Sequence, residues 1–133
     1  MSEVEWKKIE NFPGYLINSL GEVHSIAKGE LQRIFGRPNT KNYLQVVLYR
    51  TEGITRVKYQ KYIHVLMAIT FICEKPADDY QVNHIDSNRR NNRLKNLEWT
   101  KDIENYKHRD GLPYLRYDPL TQKDIPAIIN DTE

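Results

Sequence analysis

The stretch Tyr80–His108 reads YQVNHIDSNRRNNRLKNLEWTKDIENYKH. It predicts a short strand from Tyr80 to His84, followed by a polar loop that runs to Arg93. A second short strand is predicted from Leu94 to Trp99. Two strands joined by a polar loop therefore occupy most of this stretch.

A helix is predicted directly after the second strand. Thr100 is its candidate N-cap, and Asp102 and Glu104 lie in the first turns, where acidic side chains interact favourably with the helix dipole. Gly111 should end the helix. A strand end that faces a helix can hold a cation between two rigid elements, so the stretch favours a metal-binding cleft.

Four polar side chains of this stretch carry candidate chemistry. Asn83 and His84 end the first strand, Asn105 lies on the helix, and His108 follows one turn later. Phosphodiester hydrolysis needs a base for the attacking water and positive charge beside the phosphate, and a histidine next to an oxygen-liganded metal supplies both. Asparagine binds a hard cation only through its neutral carbonyl oxygen, so DNA phosphates would have to contribute much of the metal affinity.

The residues before this stretch predict small β hairpins and one helix, so the fold class is α+β. Residues 6–26 predict a hairpin that closes near Gly21, and two strand-like runs, 43–49 and 54–61, are joined through Thr51-Glu-Gly53. Residues 62–73 suit either a strand or a helix, and the helix is favoured because Glu74-Lys-Pro76 would end it.

The residues that follow Gly111 predict an extended or loosely attached segment. Three prolines interrupt them, and their charge is net negative. We expect at most one short turn of helix there, at Ile125–Ile129.

Positive charge is unevenly distributed, although the net charge is only +2. Counting Lys and Arg against Asp and Glu gives +6 for residues 28–61 and +4 for residues 89–109. A surface that united these segments would attract a phosphate backbone, whereas each segment alone could be an ordinary solvated face. The candidate DNA-binding residues are Lys41, Arg50, Arg56, Lys58, Lys61, Arg89, Arg90 and Arg93.

Composition argues against several other classes of protein. No apolar run approaches the roughly 20 residues of a membrane span, and the N-terminus lacks a secretory pattern. We therefore expect a cytoplasmic protein with no membrane partner. The single cysteine, Cys73, argues against disulfides and cysteine-rich zinc sites.

Two motifs resemble a known family. The segments 82–86, 91–92, 96–99 and 104–105 resemble the HNH motif of phage and intron-encoded homing endonucleases, in its His-Asn-Asn version. The pattern of Trp6, Phe12-Pro-Gly-Tyr15, Asn18, Gly21, Val23 and Ser25 is similar to the short N-terminal module that often precedes such nucleases. The resemblance covers residues 6 to about 108.

The resemblance implies roles for particular residues. His84 matches the general base, Asn96 matches the middle asparagine that ties the two strands of the ββα-metal fold together, and Asn105 matches a catalytic metal ligand. Asn83, the other ligand, stands where many members have aspartate, which puts metal affinity in question. Asp86 could supply a carboxylate, although a turn-forming role is favoured.

Two further histidines have alternative interpretations. His108 either contacts the phosphate or leaving group or caps the helix C-terminus, and the cap is slightly favoured. His64 begins the helix upstream of the motif, so it either reaches DNA or packs inside the protein, and packing is favoured.

The resemblance implies an HNH endonuclease that uses Mg²⁺ or Mn²⁺ to nick or cut double-stranded DNA, in a phage-encoded homing setting and thus inside a bacterial host. We divide the chain into an N-terminal β module (1–27), a basic DNA-binding hairpin region (28–61), a ββα-metal nuclease core (62–110) and an extended acidic tail (111–133). We expect a monomer or weak dimer. The short segment after His108 leaves no room for the helix-turn-helix that relatives commonly append, so looser site selection is expected.

Two alternatives stay open at this point. The neutral Asn83 favours a DNA-binding or regulatory protein that keeps the HNH fold with little or no cleavage. A zinc-stabilised interaction module using His84 and His108 is disfavoured, because no third ligand is visible.

Overall fold

The first half of the chain forms two antiparallel sheets. The computed structural model describes residues 3–27 and 29–127. The first sheet contains, in spatial order, β1 (Trp6–Lys8), β2 (Tyr15–Asn18), β3 (Val23–Ala27) and β4 (Glu30–Ile34). The second contains β5 (Arg37–Pro38), β6 (Leu44–Glu52) and β7 (Thr55–Tyr62). The first sheet thus extends past residue 27 into the basic segment.

The β6–β7 hairpin confirms the strands expected in the basic segment. Glu52 pairs with Thr55, so Gly53 and Ile54 form a two-residue turn. Gly53 has φ +64°, which suits the first central position of a type II′ turn. Arg56 and Lys58 alternate with half-buried residues and are exposed on one face of β7.

The second half of the chain contains the helices and the predicted strand pair. Helix α1 (Ile63–Met67) continues as a π-helical turn (Ala68–Ile72), which confirms the helix expected over 62–73. Strand β8 (Tyr80–His84) pairs with β9 (Leu97–Lys101), and α2 (Asp102–Arg109) follows at once. Gly111, with φ +74°, follows the end of α2, and its amide bonds the carbonyl of His108. The α+β fold class is therefore confirmed.

Two details of the second strand differ from the prediction. Residues Leu94–Asn96 form a 3₁₀ turn, because the amide of Leu94 bonds the carbonyl of Ser19 and the amide of Asn96 bonds the carbonyl of Arg93, so neither amide pairs with β8. Thr100 is not the N-cap of α2, because pairing of Lys101 with Tyr80 keeps Thr100 inside β9. The cap position belongs to Lys101, whose side chain makes no capping bond.

The expectation of a loose tail is wrong for residues 114–126. Strands β10 (Leu115–Asp118) and β11 (Lys123–Pro126) form a hairpin, so Ile125 lies in a strand and not in a helical turn; residues 128 and 129 lie outside the described part. Tyr114 is buried, and the hydroxyl of Tyr80 donates to Asp124 at 2.7 Å. Aromatic burial and this hydrogen bond attach the hairpin to the core.

One hydrophobic core joins the sheets and helices. Its buried members come from β2 and β3 (Ile17, Val23), β6 (Val46, Leu48), the helix (Ile63, Leu66, Met67, Ala68) and the strand pair (Tyr80, Val82, Leu97, Trp99), together with Ile9 and Phe12. The first sheet and the β8–β9 pair therefore contribute side chains to the same core. Among residues 3–27 and 29–127, no helix is long and apolar enough to cross a membrane.

The shared core predicts that the first sheet and the β8–β9 pair unfold together. Ile17→Ala should lower the free energy of unfolding by about 2–5 kcal/mol, because Ile17 is fully buried. Hydrogen exchange should then accelerate in β8 as well as in β2. The control Ile54→Ala, at a fully exposed side chain, should change stability by less than about 0.5 kcal/mol. Acceleration confined to β2 would show that the sheet unfolds separately.

Candidate active site

The end of β8 and one face of α2 enclose a cleft of about 340 Å³. The described residues that line it are Tyr43, Val82, Asn83, His84, Ser87, Arg89, Asn105, His108 and Arg109. The fold therefore brings Asn83, His84, Asn105 and His108 together, as the sequence predicted. Two arginines at the same cleft add positive charge where a phosphate would lie.

Asn83 is held by a buried carboxylate. Its Nδ2 donates to Glu98 Oε2 at 2.9 Å, and the hydroxyl of Tyr114 donates to the same oxygen at 2.5 Å. Burial and the hydrogen bond to Glu98 raise the pKa of Tyr114, which keeps this phenol protonated as a donor. Because its amide nitrogen is engaged, Asn83 has its side-chain oxygen left for a cation.

The donor set suits an oxygen-liganded divalent cation. Asn105 is half-buried, and its amide makes no hydrogen bond to any residue in 3–27 or 29–127. Asn83 and Asn105 would offer one neutral oxygen each, and Glu98 adds negative charge directly behind Asn83. Hard cations such as Mg²⁺ prefer oxygen ligands of this kind and complete their shells with water and phosphate oxygens.

His84 is buried but borders the cleft. Its Nε2 lies 2.8 Å from Asn92 Oδ1. Burial lowers the pKa of His84, the hydrogen bond to Asn92 and the charge of Asp86 oppose this decrease in part, and the charge of Arg89 adds the smallest effect, a further decrease. The imidazole is therefore neutral at neutral pH and able to accept a proton.

The loop between β8 and β9 is closed by Asn96 and Asp86. Asn96 Oδ1 accepts the amide of Asp86, and its Nδ2 donates to Asp86 Oδ1 and to the carbonyl of Asn91. Asp86 also accepts from the amide of Asn88 and the side chain of Asn91. Although burial opposes it, these hydrogen bonds hold the pKa of Asp86 below its usual range. Asp86 thus shapes the turn, and Asn96 ties the loop to the start of β9.

His108 links α2 to this loop. Its Nε2 donates to the carbonyl of Ile85 at 2.9 Å, and its ring packs edge-on against Tyr114. The hydrogen bond goes to the loop after β8 rather than to the last carbonyls of α2, so the bond differs from the cap that was slightly favoured. It fixes the distance between the two elements that carry Asn83 and Asn105.

His64 is packed, as favoured from the sequence. Its ring centroid lies 4.9 Å from that of Tyr43, 5.2 Å from that of Tyr62 and 5.1 Å from that of His84. Its Nδ1 is buried and has no hydrogen-bond partner among the described residues. Burial lowers the pKa of His64 to about 4, so this ring is also neutral.

The candidate DNA-binding residues do not all lie together. Arg56 and Lys58 are exposed on β7, whereas Arg89 Nη1 bonds the carbonyl of Lys41 and Arg90 Nε bonds Asn42. The last two contacts place Arg89 and Arg90, in the loop between β8 and β9, beside the 39–42 turn. The other candidates differ: Lys61 lies over the rings of Phe12 and Tyr59, and Arg93 borders a separate pocket with Ser19 and Leu20.

Arg50 is committed to the protein itself. Its guanidinium bonds Glu52 at 2.8 Å, the hydroxyl of Tyr59 at 3.0 Å and the carbonyl of Asn11 at 3.3 Å. The hydroxyl of Tyr59 also donates to Glu52. This network leaves Arg50 few donors for a phosphate.

Four residues at the site were not identified from the sequence: Glu98, Tyr114, Asn92 and Arg109. Glu98 and Asn92 stood in the quoted motifs, but their partners depend on the register that pairs Asn83 with Glu98 and on the loop path. Strand alternation places Glu98 on the face opposite Leu97 and Trp99, which was the available signal. Tyr114 offered no local signal.

Known HNH endonucleases are similar to this chain in sequence. A family model described as HNH endonuclease matches residues 61–107. An uncharacterized HNH endonuclease of Acanthamoeba polyphaga mimivirus is 35% identical over 106 residues, which cover 77% of this chain and 25% of that protein. The DNA endonuclease I-HmuI of Bacillus phage SP01 is 32% identical over 113 residues, which cover 82% of this chain and 61% of that protein.

The structural comparison agrees with the sequence comparison. A solved structure described as DNA binding and cleavage by the HNH homing endonuclease I-HmuI superposes with a TM-score of 0.60. The alignment covers 92% of this chain and 77% of that one, and identity over this longer alignment is 25%. This chain spans between a quarter and about three fifths of the length of the curated relatives that it matches.

The buried His64 predicts a pH dependence of stability. Its pKa falls from 6.5 in the unfolded chain to about 4 in the fold, so between these values the unfolded state binds more protons and stability is lost on acidification. His64→Phe should reduce this loss, because the ring no longer titrates, and should keep the packing against Tyr43 and Tyr62. Urea unfolding across this pH range measures it. An unchanged slope in the variant would contradict the assignment.

Proposed function

With an HNH domain at residues 61–107, the chain belongs to the HNH endonuclease family, and we propose that it is a metal-dependent endonuclease that hydrolyses phosphodiester bonds of double-stranded DNA. One observation carries the proposal: His84, Asn83 and Asn105 line a single cleft together with Arg89 and Arg109. A base, two oxygen ligands and positive charge are the groups that this hydrolysis requires. A phage-type homing role is the proposed setting.

The residues of the cleft divide the work between them. His84 is neutral and accepts the proton of the attacking water, and Asn92 accepts the hydrogen bond from its other nitrogen. Asn83 and Asn105 would hold a divalent cation, Mg²⁺ or Mn²⁺, through their side-chain oxygens. When bound, the cation supplies positive charge for the developing negative charge and the departing 3′ oxygen. Arg89 and Arg109 orient the phosphate, and the products are a 5′ phosphate and a 3′ hydroxyl.

DNA binding is proposed for the cations beside the cleft. Hydrogen bonds between the 39–42 turn and the loop between β8 and β9 bring Lys41, Arg89 and Arg90 together. Further positive charge lies along β7, at Arg56 and Lys58. A two-stranded ribbon such as β6–β7 has the width to enter the major groove. Arg50 is left out because its donors are occupied.

Cleavage of supercoiled plasmid tests the proposal. The unaltered protein should relax or linearise the plasmid with Mg²⁺ or Mn²⁺, and His84→Ala should lower the rate at least about 100-fold, because the general base is removed. His24→Ala is the matched control, since His24 packs against Trp6 in the first sheet, away from the cleft. Metal-independent cutting, or equal loss in both variants, would contradict the proposed role.

The second candidate function is a DNA-binding protein that keeps the fold and cuts little. The neutral amide of Asn83 favours it, because two neutral oxygens hold a free cation weakly. Gel retention of DNA that contains the bound site, with no cutting across several metals, would support this candidate over the first.

The metal site predicts a dependence on Glu98. Asn83→Asp alone places a second carboxylate against Glu98, so one of them takes up a proton and metal affinity gains little. Adding Glu98→Gln restores a donor and an acceptor to the pair, and Mn²⁺ binding without DNA should tighten at least about tenfold because a charged ligand is gained.

Calorimetric titration with Mn²⁺ measures these affinities. Asn105→Asp is the control, because the side chain of Asn105 has no hydrogen-bond partner among the described residues and its single substitution should tighten binding without a compensating change. Equal tightening by Asn83→Asp with and without Glu98→Gln would refute the coupling.

A further inference from the structure

The first sheet touches the group that holds His84. The β2–β3 turn lies against Asn92, which bonds the His84 ring. We propose that Asn92 is a positioning residue that fixes the tautomer of His84, and that the turn at Gly21 fixes Asn92. The inference rests on the proposed function, because it assigns a role within the same site.

Asn92 determines which ring nitrogen is free. The Asn92 side chain is buried, and its Oδ1 lies 2.8 Å from His84 Nε2. An amide oxygen can only accept, so Nε2 carries the proton and Nδ1 keeps its lone pair. Nδ1 makes no hydrogen bond to the described residues and is not among their buried unpaired atoms, so it remains accessible to water. Nδ1 is therefore the atom that takes the proton from the attacking water.

The turn of the first sheet leaves no space beside Asn92. A Cβ on Gly21 would lie 2.7 Å from the carbonyl oxygen of Asn92 and 3.0 Å from its carbonyl carbon. The neighbouring amide of Leu94 donates to the carbonyl of Ser19 at 2.9 Å. Backbone atoms on both sides form these contacts, so they fix the position of the Asn92 backbone rather than of a flexible side-chain end.

The turn itself is rigid. Asn18 is buried, its Oδ1 accepts the amides of Leu20 and Glu22, and its Nδ2 donates to Glu22. Because three side-chain hydrogen bonds hold the turn, the contact between Gly21 and Asn92 should restrict movement of Asn92. The first sheet thereby influences the position of the proposed general base, His84. The sequence pattern of residues 6–25 did not predict this role.

A pair of glycine substitutions tests the coupling. Gly14 and Gly21 have nearly the same φ, +88° and +84°, so an alanine at either position carries similar backbone strain, but nothing lies within 4 Å of a Cβ on Gly14. Gly21→Ala should lower the cleavage rate on the order of 10- to 100-fold relative to Gly14→Ala. Equal rates in the two variants would overturn the role of the turn.

Nitrogen NMR of the His84 ring tests the tautomer without any cleavage. At a pH above the ordinary histidine pKa, the metal-free unaltered protein should show a protonated Nε2 and an unprotonated Nδ1. Asn92→Asp retains the acceptor and should keep this tautomer, whereas Asn92→Leu removes it and should give a mixture. Cleavage should follow the tautomer, so that Asn92→Asp retains more activity than Asn92→Leu.

The outcomes separate the inference from the proposed function. A protonated Nδ1 in the unaltered protein, or the same tautomer in both Asn92 variants, overturns the inference even if the protein cuts DNA. Failure of the unaltered protein to cut, with the expected tautomer present, overturns the nuclease proposal and leaves the positioning intact. If Gly21→Ala does not fold, the two Asn92 variants decide the assignment of Asn92.

Discussion

Antiparallel pairing of β8 with β9 determines where the groups of the cleft lie. The register places Asn83 opposite Glu98 and His84 opposite Leu97. Successive side chains of a strand point to opposite faces, so Asn83 turns toward Glu98 and Tyr114 while His84 turns toward His64 and Asn92. A shift of one residue would exchange these environments. The loop closed by Asn96 and Asp86 fixes the register at the end beside the cleft.

The neutral Asn83 has a physical explanation in this register. The carboxylate directly behind Asn83 is that of Glu98, which is buried and accepts hydrogen bonds from Asn83 and Tyr114. A carboxylate at both positions would create repulsion in a region of low dielectric constant. The carboxylate nearest the proposed cation site is therefore that of Glu98, behind Asn83, and not a carboxylate on residue 83 itself. The hydrogen bond to Glu98 polarises the side-chain amide of Asn83 and makes its oxygen more negative.

Local patterns were enough to place the cleft, but not the residues that support it. The hairpin at Gly53, the end of α2 near Gly111 and the convergence of His84 with Asn105 follow from turn chemistry and from two elements adjacent in sequence. The roles of Glu98 and Asn92 depend on strand register and on the path of a loop. Packing of Tyr114 and Asp124 brings in a hairpin whose prolines and acidic residues suggested a loose tail. Long-range contacts of this kind leave no periodic signal in the chain.

Burial keeps the imidazole of His84 unprotonated at neutral pH. It lowers the pKa of His84 against opposing effects of Asn92 and Asp86, and Arg89 at the rim of the cleft adds a small further decrease. A cation bound beside His84 would act in the same direction, since any nearby positive charge disfavours the imidazolium. His64 and His84 lie 5.1 Å apart, and because both rings are neutral they pack together without repulsion. The base proposed at His84 is therefore unprotonated mainly because its ring is buried.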